Sequence, residues 1–323
     1  MLKDAFQNMK TTESTDSIGV AKTLKAYFND TDLLREKITE ISKCMHQMGA
    51  QVIIACKEQS KAVEAINKIT NEYKIKHPNV PPSEIPLLMY VPLDSSSLNS
   101  ARLFARRIES MHRDIHYLFL NDGALFMHRG VTPEDGVEEF FQTNFLSQFL
   151  LTDLLFDTLA RCGARIIISS STLYKYNTKG MDRLNMKDLR TDMRHTKHKI
   201  WDLYAMCKLC RIMFTRELQR RFEGTKATAF SIDTKSVDLG EHSNLLKLLF
   251  TPVQTMFSSK KPENTVQTML YCAVMPLELL LPGAHYSECK EVKVTNKNAN
   301  DHKMARELWN VSSELCGLGS SSS

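Results

Sequence analysis

The sequence feature that most constrains the fold is an alternation of short apolar segments with longer segments of helical periodicity. Residues 51–57, 87–94, 116–122 and 164–171 each contain an uninterrupted run of apolar residues, and a longer helical pattern follows each of them. A continuous apolar run predicts a strand covered on both faces. Strands that alternate with helices predict an α/β fold with a parallel, doubly wound sheet, which binds its ligands at the carboxyl ends of the strands.

Composition and charge narrow the class of protein. The 323 residues are 42% hydrophobic and 24% charged, as in an ordinary globular chain, and the net charge of +5 is spread without a basic block, which argues against nucleic acid as a partner. No segment has the roughly 18 apolar residues of a transmembrane helix. Scattered cysteines without a signal peptide predict a cytoplasmic location, with peripheral membrane association left open.

The expected domain organisation is simple. Residues 1–20 are polar and are predicted to be a flexible segment, residues 21–318 to form one domain, and residues 319–323 to be a flexible tail. The sequence therefore predicts a single α/β domain that covers nearly the whole chain.

Tyr204 and Lys208 lie four residues apart in a helix predicted over residues 201–222. This spacing places both on one helix face, with Cβ atoms about 5–6 Å apart. A nearby ammonium stabilises phenolate and lowers a tyrosine pKa from its usual value of about 10, so the phenol can exchange a proton with an alcohol or carbonyl oxygen. The same spacing also occurs by chance in many helices, where the ring packs and the lysine is solvated.

Polar residues end three successive predicted strands. Asp94 ends the first, residues 121–123 (Asn-Asp-Gly) end the second, and residues 169–171 (three serines) end the third. All three lie at the edge where a parallel sheet binds ligands. Taken singly, each cluster is better explained by turn chemistry, because Asp, Asn, Ser and Gly are the residues that leave strands.

Taken together, these segments resemble the short-chain dehydrogenase/reductase family, and in particular its retinol dehydrogenase-like branch. The resemblance runs from about Gly49 to Leu318 and includes the stretches GAQVIIACK, QTNFLSQFLLTDLL, ARIIISSS, YAMCKLCRIMFTRELQRRFEGT and YSECKEVKVTNKNANDHKMARELWNVSSELCGL. It is specific, because separated elements match in order. It implies a Rossmann-type fold and an oxidoreductase that interconverts a lipophilic alcohol and its aldehyde or ketone.

The resemblance assigns catalytic roles to four residues. Tyr204 would be the general acid/base, and Lys208 would lower the pKa of Tyr204 and hold the nicotinamide ribose. Ser171 would hydrogen-bond the substrate oxygen, and Asn144 would anchor a water that connects the lysine to solvent. These side chains would move the proton while the cofactor gives or takes the hydride.

The resemblance also assigns a cofactor site. Lys57 follows the second strand, where a basic residue suits the 2′-phosphate of NADP(H), although NAD(H) stays open. Asp94 would lie beside the adenine. The other residues expected to contact the cofactor are Asn121, Gly123, Tyr204 and Lys208. No metal is expected, the expected partner is a small lipophilic substrate, and a homodimer is left open.

One part of the family pattern is missing. The turn Thr-Gly-x-x-x-Gly-x-Gly expected after the first strand is replaced by residues 31–38, TDLLREKI, which contain none of its glycines. Glycine lets backbone amides approach a pyrophosphate closely at a helix amino terminus, whereas Asp32 and Glu36 would place negative charge there.

Other cofactor-facing segments differ too. Residues 21–30 match an apolar first strand poorly, residues 120–123 read Leu-Asn-Asp-Gly where Asn-Asn-Ala-Gly is expected, and Thr234 and Lys235 replace an expected Pro-Gly. These departures support a second hypothesis, in which the chain is a catalytically inactive dehydrogenase-like protein that acts as a binding or scaffold module.

Four other patterns in the sequence have a structural interpretation, which competes in three of them with a functional one. Cys207 and Cys210 could be a redox or zinc pair, but packed thiols are favoured because no second pair stands at ligand spacing. The basic segment 194–199 is either a solvated face or an attractor for an acidic group. The apolar segment 242–257 is either a substrate lid or an ordinary helix, and Trp309 is expected to pack a terminal helix on the domain.

Overall fold

The computed structural model describes residues 23–27, 32–111, 113–121, 134–176, 200–234 and 262–319. The strands are β1 (Thr23–Tyr27), β2 (Gln51–Cys56), β3 (Leu88–Pro92), β4 (Ile115–Leu120), β5 (Arg165–Ser170), β6 (Thr228–Asp233), β7 (His285–Ser287) and β8 (Lys290–Glu291). The helices are α1 (Asp32–Gln47), α2 (Gln59–Lys76), α3 (Leu98–Ser110), α4 (Glu139–Phe141), α5 (Ser147–Leu154), α6 (Phe156–Arg161), α7 (Ile200–Arg221), α8 (Pro262–Val274) and α9 (His302–Leu315). Most of the predicted flexible ends lies outside these residues.

The described strands form one sheet in the order β3-β2-β1-β4-β5-β6-β7-β8. Neighbouring strands are parallel, except that β8 runs antiparallel to β7. The chain steps outward from β1 to β3 and then returns to place β4 on the other side of β1. This reversal of strand order is the switch point at which doubly wound sheets bind dinucleotides. The predicted Rossmann-type sheet is confirmed.

Residues 23–27 form a central strand, although the sequence around them matches an apolar strand poorly. Lys25 pairs with Ile53 of β2 on one side and with Leu118 of β4 on the other. Both edges of β1 are therefore hydrogen-bonded, and backbone pairing of this kind does not depend on an apolar side chain. Helix α1 begins at Asp32, so a strand and then a helix occupy the expected positions, and residues 28–31 lie outside the described part.

Helices cover both faces of the sheet, and each face has its own apolar core. The core on one face includes residues of α3, α5, α7 and α9, and the core on the other includes residues of α1, α2 and α8. In β5, Ile166 and Ile168 belong to the first core and Ile167 to the second. Burying each such side chain contributes about 1.5–3 kcal/mol, which explains the continuous apolar runs of the strands.

The helix predicted over residues 138–161 is interrupted in the structure. A π-helical segment, Gln142–Leu146, separates α4 from α5, and Leu155 separates α5 from α6. The amide Nδ2 of Asn144 donates to the carbonyl of Phe140 at 3.0 Å within this segment. Single π-helical turns inside helices are frequent at functional sites. The sequence has no glycine or proline here that could have predicted the interruption.

Helix α9 packs on α7, as predicted from Trp309. The indole is 3% exposed, and its ring centroid lies 4.9 Å from that of Phe149 and 5.7 Å from that of Phe214. The guanidinium of Arg221 lies 4.0 Å from the same centroid, which adds a cation–π contact. None of the described helices combines the length and the apolar character needed to cross a membrane.

Candidate active site

Helix α7 carries Tyr204 and Lys208 on one face. The ammonium of Lys208 lies 4.9 Å from the centroid of the Tyr204 ring, and the two residues are 4% and 2% exposed. Most of this part of the helix is buried, because it lies between the sheet and α9. A charge removed from water acts on its neighbours through a lower effective dielectric. The ammonium therefore lies beside the Tyr204 ring in an environment where its charge is screened less than in water.

Ser171 directly follows β5 and is 2% exposed. Its hydroxyl accepts a hydrogen bond from the backbone N–H of Leu173 at 3.3 Å, in a short helical turn (Thr172–Tyr176) that packs along α7. The hydroxyl of Ser170 donates to the backbone carbonyl of Lys208 at 2.9 Å. The end of β5 is thus fastened to α7 at the residue that carries the ammonium.

Asn144 is fully buried in the π-helical segment, which also packs against α7. Its backbone carbonyl accepts a hydrogen bond from Nε of Arg211 at 2.8 Å. Nη1 of Arg211 donates to the carbonyl of Ser169 at 2.9 Å and to its hydroxyl at 2.8 Å. The structure therefore brings the elements that carry all four predicted catalytic residues against one helix.

Arg211 is a residue of this site that sequence reasoning missed. It is 1% exposed and lies three residues after Lys208 and seven after Tyr204, so it continues the same helix face. The signal available in the sequence was a charged residue at that spacing inside an otherwise apolar stretch of helix.

Lys57 and Asp94, which were expected to contact different parts of a cofactor, form an ion pair with each other. The distance from Nζ of Lys57 to Oδ2 of Asp94 is 2.9 Å, and the lysine side chain is 55% exposed. Oδ1 of Asp94 accepts from the backbone N–H and the hydroxyl of Ser96 at 2.9 and 2.6 Å. Burial alone would raise the pKa of Asp94, but the hydrogen bonds from Ser96 and Lys57 outweigh it and keep this pKa below its ordinary value.

Asn121 follows β4, next to the switch point of the sheet. It is 2% exposed, and neither its side-chain nitrogen nor its side-chain oxygen has a hydrogen-bond partner among the described residues. A buried amide left in this state costs about 1–3 kcal/mol per unpaired group. A bound cofactor with a donor and an acceptor would remove this cost, so Asn121 fits the role predicted for it.

The acidic residues that stand where glycines were expected lie at the start of helix α1. Asp32 is the first residue of α1, and Glu36 lies one turn later. Gly123, Lys235 and the segments 194–199 and 242–257 lie outside the described residues.

The cysteine pair in α7 consists of packed thiols, as favoured from the sequence. Cys207 and Cys210 are both 0% exposed. Burial raises the pKa of Cys207 well above its ordinary value and that of Cys210 to about 12. A thiol that stays protonated is neither a good nucleophile nor a good metal ligand. Within the described ranges, no group of three or more His, Cys, Asp or Glu residues is placed to hold a metal ion.

Comparison with known proteins agrees with this geometry. A family model described as short chain dehydrogenase matches residues 39–182. Human retinol dehydrogenase 14 is 34% identical over 281 residues, which span 84% of this chain and 80% of the relative. Human polyprenol dehydrogenase is 31% identical over 294 residues, which span 86% and 81%. A crystal structure of a protein from Mycobacterium paratuberculosis has a TM-score of 0.64 at 23% identity and covers 92% of this chain and 94% of its own.

The sheet order, the paired tyrosine and lysine, and these relatives lead to one conclusion. The chain belongs to the short-chain dehydrogenase family, and within it to the retinol dehydrogenase-like branch.

Proposed function

We propose that this protein is an oxidoreductase that interconverts a lipophilic alcohol and its aldehyde or ketone, with NADP(H) as the preferred cofactor. The observation that carries the proposal is the ammonium of Lys208, 4.9 Å from the centroid of the Tyr204 ring, on a buried face beside the end of β5. The names of the relatives, retinol dehydrogenase and polyprenol dehydrogenase, support a lipophilic alcohol as the substrate class.

The proposed chemistry is a proton transfer coupled to a hydride transfer. In the direction of alcohol oxidation, the phenolate oxygen of Tyr204 takes the hydroxyl proton of the substrate, and in reduction the phenol returns it to the carbonyl oxygen. Lys208 stabilises the phenolate, and the hydroxyl of Ser171 donates to the substrate oxygen. Asn144 holds the water that links Lys208 to solvent. A nicotinamide, when bound, would supply or accept the hydride at the substrate carbon.

Besides Tyr204 and Lys208, the described residues that would hold the cofactor are Lys57, Asp94 and Asn121. The buried amide of Asn121 would gain its missing partners, and the half-exposed ammonium of Lys57 would pair with a 2′-phosphate. Asp94 works against that phosphate because it stays ionised and already neutralises Lys57. The preference for NADP(H) therefore depends on how far Lys57 can leave Asp94, and NAD(H) remains the competing cofactor.

A second candidate function is that of a catalytically inactive binding or scaffold protein. The observation that favours it is the start of α1, where Asp32 is the first helical residue and Glu36 lies one turn later. Two carboxylates near a helix amino terminus oppose a pyrophosphate that would otherwise bind there.

Titration of the purified protein with NADPH separates the two candidates. We expect a dissociation constant in the micromolar range and, at about 100 times that concentration of cofactor, roughly 2.7 kcal/mol of added stability. Binding is measured by calorimetry and thermal unfolding, and turnover by NADPH absorbance with retinal and a long-chain aldehyde. Absence of any shift at millimolar NADPH would support the scaffold candidate and contradict the enzyme.

A further inference from the structure

Arg211 extends the face of α7 that holds Tyr204 and Lys208, and it does so as a buried cation. Residues at positions i, i+4 and i+7 form one stripe along a helix, so the three side chains follow one another on successive turns. Arg211 is 1% exposed. Burying a guanidinium costs several kcal/mol unless hydrogen bonds satisfy it. The groups that accept hydrogen bonds from Arg211 therefore identify the elements that this residue holds in place.

The hydrogen bonds of Arg211 connect two elements of the proposed site. Nε donates to the carbonyl of Asn144 at 2.8 Å, and Nη1 donates to the carbonyl and hydroxyl of Ser169 at 2.9 and 2.8 Å. Asn144 lies in the π-helical segment, and Ser169 lies two residues before Ser171. The planar fork of the guanidinium reaches both elements with donors on separate nitrogen atoms in a fixed geometry, whereas the three donors of an ammonium share one nitrogen.

The charge of Arg211 is also close to the relay. The thiol of Cys207 lies within the Tyr204–Lys208 turn, and its pKa is raised first by burial. The positive charges of Arg211 and Lys208 lower this pKa, and the negative charge of Glu138 raises it. The charges of Arg211, Lys208 and Glu138 therefore all act on the thiol within the Tyr204–Lys208 turn.

We propose, building on the oxidoreductase function above, that Arg211 is a positioning residue of the active site. It clamps the π-helical segment of Asn144 and the end of β5 against α7, and thereby sets the distances among Asn144, Ser171 and the Tyr204–Lys208 pair. Catalysis depends on such distances, because a misplacement of about 1 Å lowers rates on the order of 100-fold. The residue touches neither substrate nor cofactor in this role.

Replacement of Arg211 by methionine, which keeps an unbranched apolar stem and removes the fork, tests this role. Arg165 is the matched control, because Nη1 of Arg165 also donates to backbone carbonyls (Cys272, Ala273 and Met275) but lies at the opposite end of β5. We expect Arg211→Met to lower kcat on the order of 100-fold while the dissociation constant of NADPH changes less than about threefold. Arg165→Met should lose stability but keep kcat within about twofold.

The proposal is overturned if kcat, corrected for the folded fraction, falls equally in the two variants. Arg211 would then contribute to packing and stability only. If Arg211→Met does not fold, Ser169→Ala removes only one hydroxyl acceptor of the guanidinium. The expected result is then a several-fold fall in kcat at unchanged melting temperature, and an unchanged kcat contradicts the clamp.

A readout without turnover separates this proposal from the proposed function. Amide hydrogen exchange over residues 142–147 should become faster in Arg211→Met and stay unchanged in Arg165→Met. If wild-type protein neither binds NADPH nor turns over, the oxidoreductase function fails. In that case unchanged exchange in Arg211→Met overturns the clamp, and faster exchange supports it.

Discussion

The two sides of the switch point in the sheet differ in how completely they keep the pattern of the family. Around β4, β5 and α7, the tyrosine, lysine, serine and asparagine expected of the relay are all present and buried. Around β1, α1 and β2, the glycines expected after the first strand are absent, and acidic residues begin the helix. The first region, called the relay side, thus keeps the side chains of the proposed proton transfer. The second, called the phosphate side, has acidic residues at a helix amino terminus, which oppose the approach of anions.

This difference shows that the fold does not require the glycine turn. Strand β1 pairs with both neighbours and α1 follows it, although the sequence after β1 lacks the glycines of the family. The glycines of the family therefore serve ligand approach rather than the sheet. We therefore expect the loss of those glycines to weaken cofactor binding while the relay residues keep their positions, and each side can be tested separately.

The largest effect is expected from Tyr204→Phe on the relay side. Loss of the phenolic oxygen removes the proton donor and should lower kcat by at least about 100-fold, with NADPH binding and melting temperature nearly unchanged. Turnover is measured at saturating NADPH. Tyr73→Phe, on α2 in the other half of the molecule, is the matched control and should retain activity. Undiminished kcat in Tyr204→Phe would rule out the assigned role.

The next effect concerns the pH dependence of stability near the relay side. Burial, with Arg216 and Lys175 as further causes, lowers the pKa of His285 to about 4, and the imidazole shares a 3.0 Å hydrogen bond with Ser231. The unfolded state takes up a proton near pH 6.5, whereas the folded state takes it up only near pH 4. Stability therefore falls as the pH drops through this window.

The contribution of His285 to that loss is about 2 kcal/mol between pH 7 and pH 5. His285→Gln should remove most of it, as measured by urea unfolding at the two pH values. His302→Gln, at an exposed position, is the control. An acid sensitivity that is the same in His285→Gln and wild type would show that other groups dominate.

A smaller effect is expected on the phosphate side from the double variant Asp32→Asn, Glu36→Gln. Removing two charges near the amino terminus of α1 should strengthen NADPH binding about tenfold, since each charge at such a position contributes about 0.3–1 kcal/mol. Calorimetry measures the affinity. Glu40→Gln, two turns into the same helix and paired with Lys43, should change it little. If affinity does not rise, the acidic turn is not what opposes the cofactor.

The smallest effect is expected from Lys57→Ala. The lysine is half-exposed and paired with Asp94, so its contribution to binding a 2′-phosphate should be about 1 kcal/mol, or roughly fivefold. The affinity for NADPH should fall while that for NADH stays constant. Lys61→Ala removes a nearby cation that pairs with Glu58 and is the control. Equal losses for both cofactors would contradict a role for Lys57 in choosing between them.

Much of the fold could be predicted because periodicity is a local property of the chain. The apolar runs within residues 51–57 and 164–171 identified β2 and β5, and the helix predicted over residues 201–222 is α7. Central strand β1 was harder to recognise because its pairing partners, β2 and β4, come later in the chain. The π-helical segment could not be read from the sequence, since its hydrogen-bond pattern depends on what packs against Asn144.

The candidate site, like the fold, could be predicted from the sequence only in part. The spacing of Tyr204 and Lys208 determined that they share a helix face, because helical geometry is set by four consecutive residues. Sequence alone also identified the polar ends of β3, β4 and β5. Only the tertiary structure decided that the buried amide of Asn121 has no hydrogen-bond partner among the described residues, that Lys57 pairs with Asp94, and that Arg211 links Asn144 to Ser169. Each of these contacts joins residues far apart in the chain, and their energies depend on burial and distance, which exist only once the layers have packed.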